Sequence, residues 1–229
     1  MHRKKSFLKI LVASFSFFIL FASCQQTLPE LIQSNYSVIF DYSEEDAENP
    51  DSRLSIFMQS ESDVRRYQHI KITSQETGYI WDFDEIAMIK NDDRQWAGNT
   101  NLKVPENQII PKGLYEIIYY NADEENEKIQ MHINYDSSIY EKTYDEIEDY
   151  MTKKSAVKNI AIYDESGILL YYGERNEGLK TVRDIWNVYS NADTYQDIWC
   201  LPGNTVICIM KVQKVELENL ENKEEQLKD

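Results

Sequence analysis

From residue 35 onward the chain alternates between short runs with apolar residues at every second position and polar breaks rich in Asp, Glu, Asn, Pro and Gly. A period of two turns one side of each run toward a core and the other toward water, the signature of half-buried strands. Tyr36–Tyr42 reads as the first strand and is followed by an acidic loop, 43–52. Arg53–Gln59 alternates through Leu54, Ile56 and Met58, and Arg66–Thr73 does so through Tyr67 and His69; Tyr79–Phe83 and Ile86–Lys90 are shorter. The region around Trp96-Ala97-Gly98-Asn99 is polar and reads as a loop. Pro111-Lys112-Gly113 then introduces a hairpin: Leu114–Asn121, a charged turn at 123–127, and Lys128–Tyr135.

Two stretches change period. Tyr140, Tyr144, Ile147 and Met151 recur at helical spacing, with Thr143 placed to cap and Glu146 three residues on to complete a capping box. Leu179, Val182, Ile185, Trp186 and Tyr189 form a second helical pattern. Between them, Val157–Tyr163 and Ile168–Tyr172 bracket a four-residue loop, Asp164–Gly167; Tyr195–Leu201 and Thr205–Val215 flank Pro202-Gly203-Asn204. These spacings predict a mostly β protein, an antiparallel β-sandwich with one or two added α-helices. The Pro111-x-Gly113-x-Tyr115 entry into a strand resembles that of immunoglobulin-like modules, over about 25 residues. No Gly/Pro/Ser-rich linker divides residues 35–215, although the helix entry near residue 140 marks a seam; the tail 216–229 is nearly all charged.

The amino terminus follows a different logic. Met1-His-Arg-Lys-Lys5 is basic, and Ile10–Ala22 runs for 13 residues without a charge, short of the ~18–20 a spanning helix needs. Residues 1–23 therefore read as a secretory signal. Leu20-Phe21-Ala22-Ser23-Cys24 resembles the lipobox of bacterial lipoproteins, with Phe21 where Leu is usual, a relaxation familiar among spirochaete lipoproteins. The resemblance implies cleavage before Cys24, a diacylated Cys24 thiol, an acylated new amino terminus, and a lipid bilayer as partner in the cell envelope. Residues 24–34 are then a lipidated tether.

Charge narrows the remaining choices. The chain carries 24 Lys+Arg against 40 Asp+Glu. The signal segment takes four of the bases and none of the acids, so the mature body stands at −20. Such a body repels phosphate backbones, which argues against a nucleic-acid partner. Seven glycines are scattered singly, without a phosphate-binding loop, and His69 and His132 lie in strand-like runs without metal-ligand spacing. Asp82, Asp84 and Glu85, with Asn91-Asp92-Asp93 beyond, carry oxygen ligands that suit Ca²⁺, but in so acidic a chain a solvated loop is the simpler reading. No catalytic residue, metal or cofactor stands out.

Two features remain. Cys200 and Cys208 flank the Pro202–Asn204 turn and are a candidate disulfide if the loop centres near Asn204; otherwise they are free buried thiols. Of 23 aromatic residues after the signal segment, 20 are Tyr or Trp, each with a polar handle. Trp96, Tyr119 and Tyr171 are the candidate binding aromatics, for an envelope protein or glycan; a Tyr-built core with hydroxyls at its rim is the plainer alternative. The expectation is a membrane-anchored envelope lipoprotein acting as a structural or binding module. A glycan-directed hydrolase with paired carboxylates is the second reading.

Overall fold

The computed structural model describes residues 30–43, 50–60, 64–91, 93–105 and 108–216. Cys24, the signal segment and the tail from 217 lie outside them. Among the described residues, twelve strands form two sheets. Strands β1 (Leu31–Asp41), β2 (Asp51–Ser60), β5 (Ala87–Asn91) and β6 (Arg94–Lys103) make one half of the larger sheet. Its other half is β9 (Val157–Asp164), β10 (Leu169–Glu174), β11 (Ala192–Cys200) and β12 (Val206–Lys214), giving the order β10-β9-β11-β12-β1-β2-β6-β5. The smaller sheet, β4-β3-β7-β8, comprises β3 (His69–Ser74), β4 (Ile80–Phe83), β7 (Gly113–Tyr120) and β8 (Asn126–Ile133). The architecture is a mostly β sandwich with two α-helices, α1 (Tyr144–Lys153) and α2 (Val182–Val188).

One contact joins the two halves of the larger sheet. β12 runs parallel to β1, with Val38 opposite Val206 and Phe40 opposite Cys208, where every other ladder is antiparallel. The sheet is therefore continuous across the seam read near residue 140. Its inner face presents Val38, Phe40, Leu54, Ile56, Met58, Val206 and Cys208, all buried, to the smaller sheet's Ile70, Ile72, Tyr115, Ile117 and Tyr119. Beyond the smaller sheet, α1 carries Ile147 and Met151 into the same core, and α2 closes a second cluster with Ile160, Ile162, Leu179 and Tyr195.

Local chemistry sets the helix ends. Thr143 and Glu146 form the expected capping box, and Thr181 with Asp184 forms another on α2. Two expectations fail at the level of elements. β1 begins at Leu31, so residues 31–34 of the supposed tether belong to the sheet. The polar stretch around Trp96 is strand β6, held between β2 and β5. It escapes a period-two reading because only Ala97 and Leu102 of its side chains reach the core.

Gly98 explains how β6 lies so close to β2. A Cβ there would run into the Ile56 carbonyl and stand 2.8 Å from Phe57 Cα, both backbone atoms that cannot swing aside. Gly98→Ala is expected to lower the midpoint of urea unfolding by an amount equivalent to about 1–3 kcal/mol, the usual cost of overpacking. Gly113 opens β7 at φ 115°, a conformation that favours glycine, and leads Tyr115 into the core.

At the far end of β1, Asp41 faces competing influences. Burial raises its pKa, but the hydrogen bond from Arg53 at 2.7 Å and those of Ser43 outweigh it and hold the carboxyl below its ordinary 3.8. A folded-state pKa below the unfolded value stabilises the fold above about pH 4 and loses that contribution as the pH falls. Stability measured from pH 6 to pH 2 (approximate bounds) is thus expected to fall less steeply in Asp41→Asn than in the wild type.

Candidate functional site

The aromatic residues were the leading site candidates, and the structure separates them. Tyr119 is fully buried, packs tilted against Tyr67 with ring centroids 4.7 Å apart, and donates its hydroxyl across the sandwich to the Ala97 carbonyl at 2.9 Å. Burial pushes that phenol's pKa far up. Tyr119 is a core residue, not a binding ring. Tyr171 is half-buried against Tyr189 of the second cluster, its ring 5.8 Å away. Trp96 is half-buried on β6 between Gln59 and Ile89. The three share no face that one ligand could span.

The polar handles have another use. Tyr115 donates to Pro111 O at 2.6 Å, Tyr135 to Ile110 O at 2.6 Å, and Tyr42 to Lys142 O at 3.1 Å. Trp81 Nε1 donates to Lys103 O at 2.7 Å, from one sheet to the other. Each ring fills the core while its polar atom ties down a loop or strand end, so a buried carbonyl gains a partner. Burial raises the Tyr135 pKa to about 12.

The cysteines are free and buried. Trp199 stands opposite Cys208 and Cys200 opposite Ile207, so the two sulfurs point to opposite faces of the sheet. The turn at Pro202–Asn204 misses the bridging register by one residue, and one residue is enough to reverse a face. Burial raises both thiol pKa values; Cys200 is partly offset by hydrogen bonds with Asn159 and Tyr172.

The densest charged constellation lies elsewhere. Asp197, the only buried carboxylate among the described residues, sits on the inner face of β11. Arg175 Nη1 donates to both its oxygens at 2.5 Å, while Nε reaches Leu179 O at 3.1 Å and Nη2 reaches Lys180 O at 2.8 Å. Lys158 Nζ stands 3.3 Å from Asp197 and 2.9 Å from Glu148 of α1, and 5.0 Å from the Trp199 ring. One carboxylate thus draws together β9, β11, α1 and the approach to α2. Burial and the charge of Asp197 raise the pKa of Tyr144 alongside. Sequence reading missed this cluster although a signal existed: Asp197 shares strand parity with Tyr195 and Trp199, and an acid at a core-facing position requires a cation.

The cluster is a clamp. All three guanidinium nitrogens are occupied, two of them by backbone carbonyls. Asp82 is engaged at 2.5 Å by His69 on the surface, and among the described residues no three His, Cys, Asp or Glu side chains converge on a metal position.

One cavity of about 330 Å³ opens at the β5 edge, beneath the 3₁₀ turn Val64–Arg66. Val64, Met88 and Ile89 give it apolar walls, and Arg65, Lys90 and Gln95 complete the lining. The Val64 amide donates to Gln95 Oε1 at 3.4 Å, which fixes the turn to the floor.

No protein-family profile matches the chain, and no curated protein sequence does. The functional reading therefore rests on the residues themselves.

Proposed function

We propose that the protein is a membrane-anchored lipoprotein of a bacterial envelope whose body serves as a structural or binding module. The observation that carries the reading is the run Leu20-Phe21-Ala22-Ser23-Cys24 set just ahead of a folded body: β1 starts at Leu31, so residues 25–30, at most ~20 Å of extended chain, separate the anchor from the sheet. Two or three acyl chains at Cys24 give lasting attachment. Among the described residues no helix is long and apolar enough to cross a membrane.

The thiols provide the test. The chain has three cysteines. With Cys24 acylated and the other two free, denatured protein titrates two thiols, while the folded state reacts slowly because Cys200 and Cys208 are buried. Cys24→Ser is expected to abolish palmitate incorporation and leave uncleaved precursor. Three titratable thiols in the native product, or labelling that persists in Cys24→Ser, would overturn the anchor.

A further inference from the structure

The two sheets differ in what they turn outward. On the smaller sheet the outward face carries the charges of a solvated surface, among them Lys71, Asp82, Glu116 and Lys128. The outer face of the larger sheet does not. The side chains that alternate with its core positions are uncharged over 33–39 of β1, 55–59 of β2, 207–209 of β12, 196–200 of β11 and 157–163 of β9, in a chain that is 28% charged. Charges that reach this face from its ends pair there: Arg53 with Asp41 at 2.7 Å, Lys103 with Asp51 at 2.5 Å, Lys214 with Asp193 at 2.9 Å. Glu174 stands on the β10 edge. Both helices and the smaller sheet pack on the inner side, so no described element covers the outer one. Across it Ile89, Val157, Leu169, Tyr172 and Val212 are each more than two-fifths exposed. Ile39 and Ile207 stand side by side at its centre, on the β1–β12 contact.

We propose that this face is the interface of a homodimer, in which the larger sheets of two copies pack outer face to outer face. Two acidic bodies repel one another, so the surface that joins them has to be one without net charge. Depletion of charge, with aromatic and aliphatic side chains in its place, is also what marks the centre of an interface; here Ile198, Ile207, Ile209, Phe57 and Trp96 supply it. The size fits. Eight strands about 4.8 Å apart span roughly 35 Å, and three outward residues on each cover about 20 Å, or some ~700 Å² per copy. The total of about 1,400 Å² lies within the roughly 1,200–2,000 Å² of stable interfaces. Both copies share one twist, so the sheets can align at about −30° as the layers of a sandwich do. A charged partner surface would be stranded against this face, whereas the face of a second copy brings no charge to strand. The inference goes beyond the anchor and does not depend on acylation of Cys24.

The test is sedimentation equilibrium of the full chain in a density-matched neutral detergent. A monomer–dimer equilibrium with a Kd of about 10 µM or tighter is expected for an interface of this size. Ile209→Lys and Val212→Lys should each weaken it about 100-fold or more, because the two-fold sets two new like charges in one dry interface. Val212 is exposed, so its change leaves the monomer intact, and unaltered near-UV circular dichroism checks the fold of both variants. Ile80→Lys, on the outward face of the smaller sheet, is expected to leave the dimer unchanged. Raising NaCl from about 50 to about 500 mM should tighten the dimer severalfold by screening the repulsion between the bodies. In the dimer a soluble gadolinium chelate should relax the Ile80 methyls and spare those of Ile198 and Ile209. A monomer at about ten times the expected Kd, a dimer that both lysine variants leave intact, or one that salt loosens would each overturn the proposal. So would protection of the Ile198 and Ile209 methyls by phosphatidylcholine vesicles in a protein that sediments as a monomer, which assigns the face to the membrane instead.

Discussion

Arg175→Ala is expected to cost about 3–5 kcal/mol of folding stability, the largest loss from any single surface-reaching side chain in this protein. Asp197 is buried, and its two oxygens take the Arg175 Nη1 donor at 2.5 Å; Lys158 alone, at 3.3 Å, is left when Arg175 goes. The substitution also frees the carbonyls of Leu179 and Lys180, which fix the turn leading into α2. Loss is therefore expected first in the second core cluster, as faster amide exchange at Ile160, Ile162 and Ile185, before the sandwich opens. Urea unfolding of the full chain gives the magnitude. Asp197→Leu combined with Arg175→Leu is expected to recover a substantial part of it, because removing both charges avoids stranding either one. If the single change shifts the midpoint no more than an exposed ion pair does, about 0–1 kcal/mol, the clamp is ornamental and α2 is held by its apolar face alone.

What the sequence disclosed and what it hid divide along one physical line. Elements whose own side chains alternate or recur were legible: β2 through Leu54, Ile56 and Met58, and α1 through Tyr144, Ile147 and Met151 with its Thr143–Glu146 cap. Elements whose stability comes from neighbours were not. β6 is a strand because β2 and β5 satisfy its backbone on both sides, not because Arg94–Lys103 is apolar. The N-terminal residues of β1 are held in the same way by β2, with Leu31 opposite Ser60. Long-range pairing was hidden too: the parallel β1–β12 contact links positions some 170 residues apart, and no local pattern announces it. The same contact makes the smaller sheet, α1 and α2 successive covers on a single large sheet. For the site candidates, parity gave the face but not its contents. Tyr119 and Tyr120 had to point opposite ways, and only the fold shows that Tyr119 points inward.

Tyr119 decides between the two roles an aromatic-rich chain can have. As a core ring with its hydroxyl on the Ala97 carbonyl, it couples β7 of the smaller sheet to β6 of the larger one through the middle of the sandwich. Tyr119→Ala is expected to destabilise by about 3–5 kcal/mol, the range for deleting a buried aromatic and leaving a cavity against Tyr67. Tyr119→Phe keeps the ring and loses the cross-sheet hydrogen bond, at about 1 kcal/mol. Tyr120, half-buried beside the exposed His69–Asp82 pair, is the comparison: Tyr120→Ala is expected to cost well under half as much as Tyr119→Ala. That ordering separates scaffold from recognition, since a ligand-facing ring loses binding at little cost to stability, whereas an internal tie loses stability whatever the protein binds. Near-equal unfolding midpoints for Tyr119→Ala and Tyr120→Ala would mean that the two sheets are not coupled through this ring. The chain's preference for Tyr over Phe would then need a surface explanation after all. With the expected ordering, that preference follows from the architecture: a sandwich whose strand ends and loops leave buried carbonyls gains a hydrogen-bond donor wherever a core ring carries a hydroxyl.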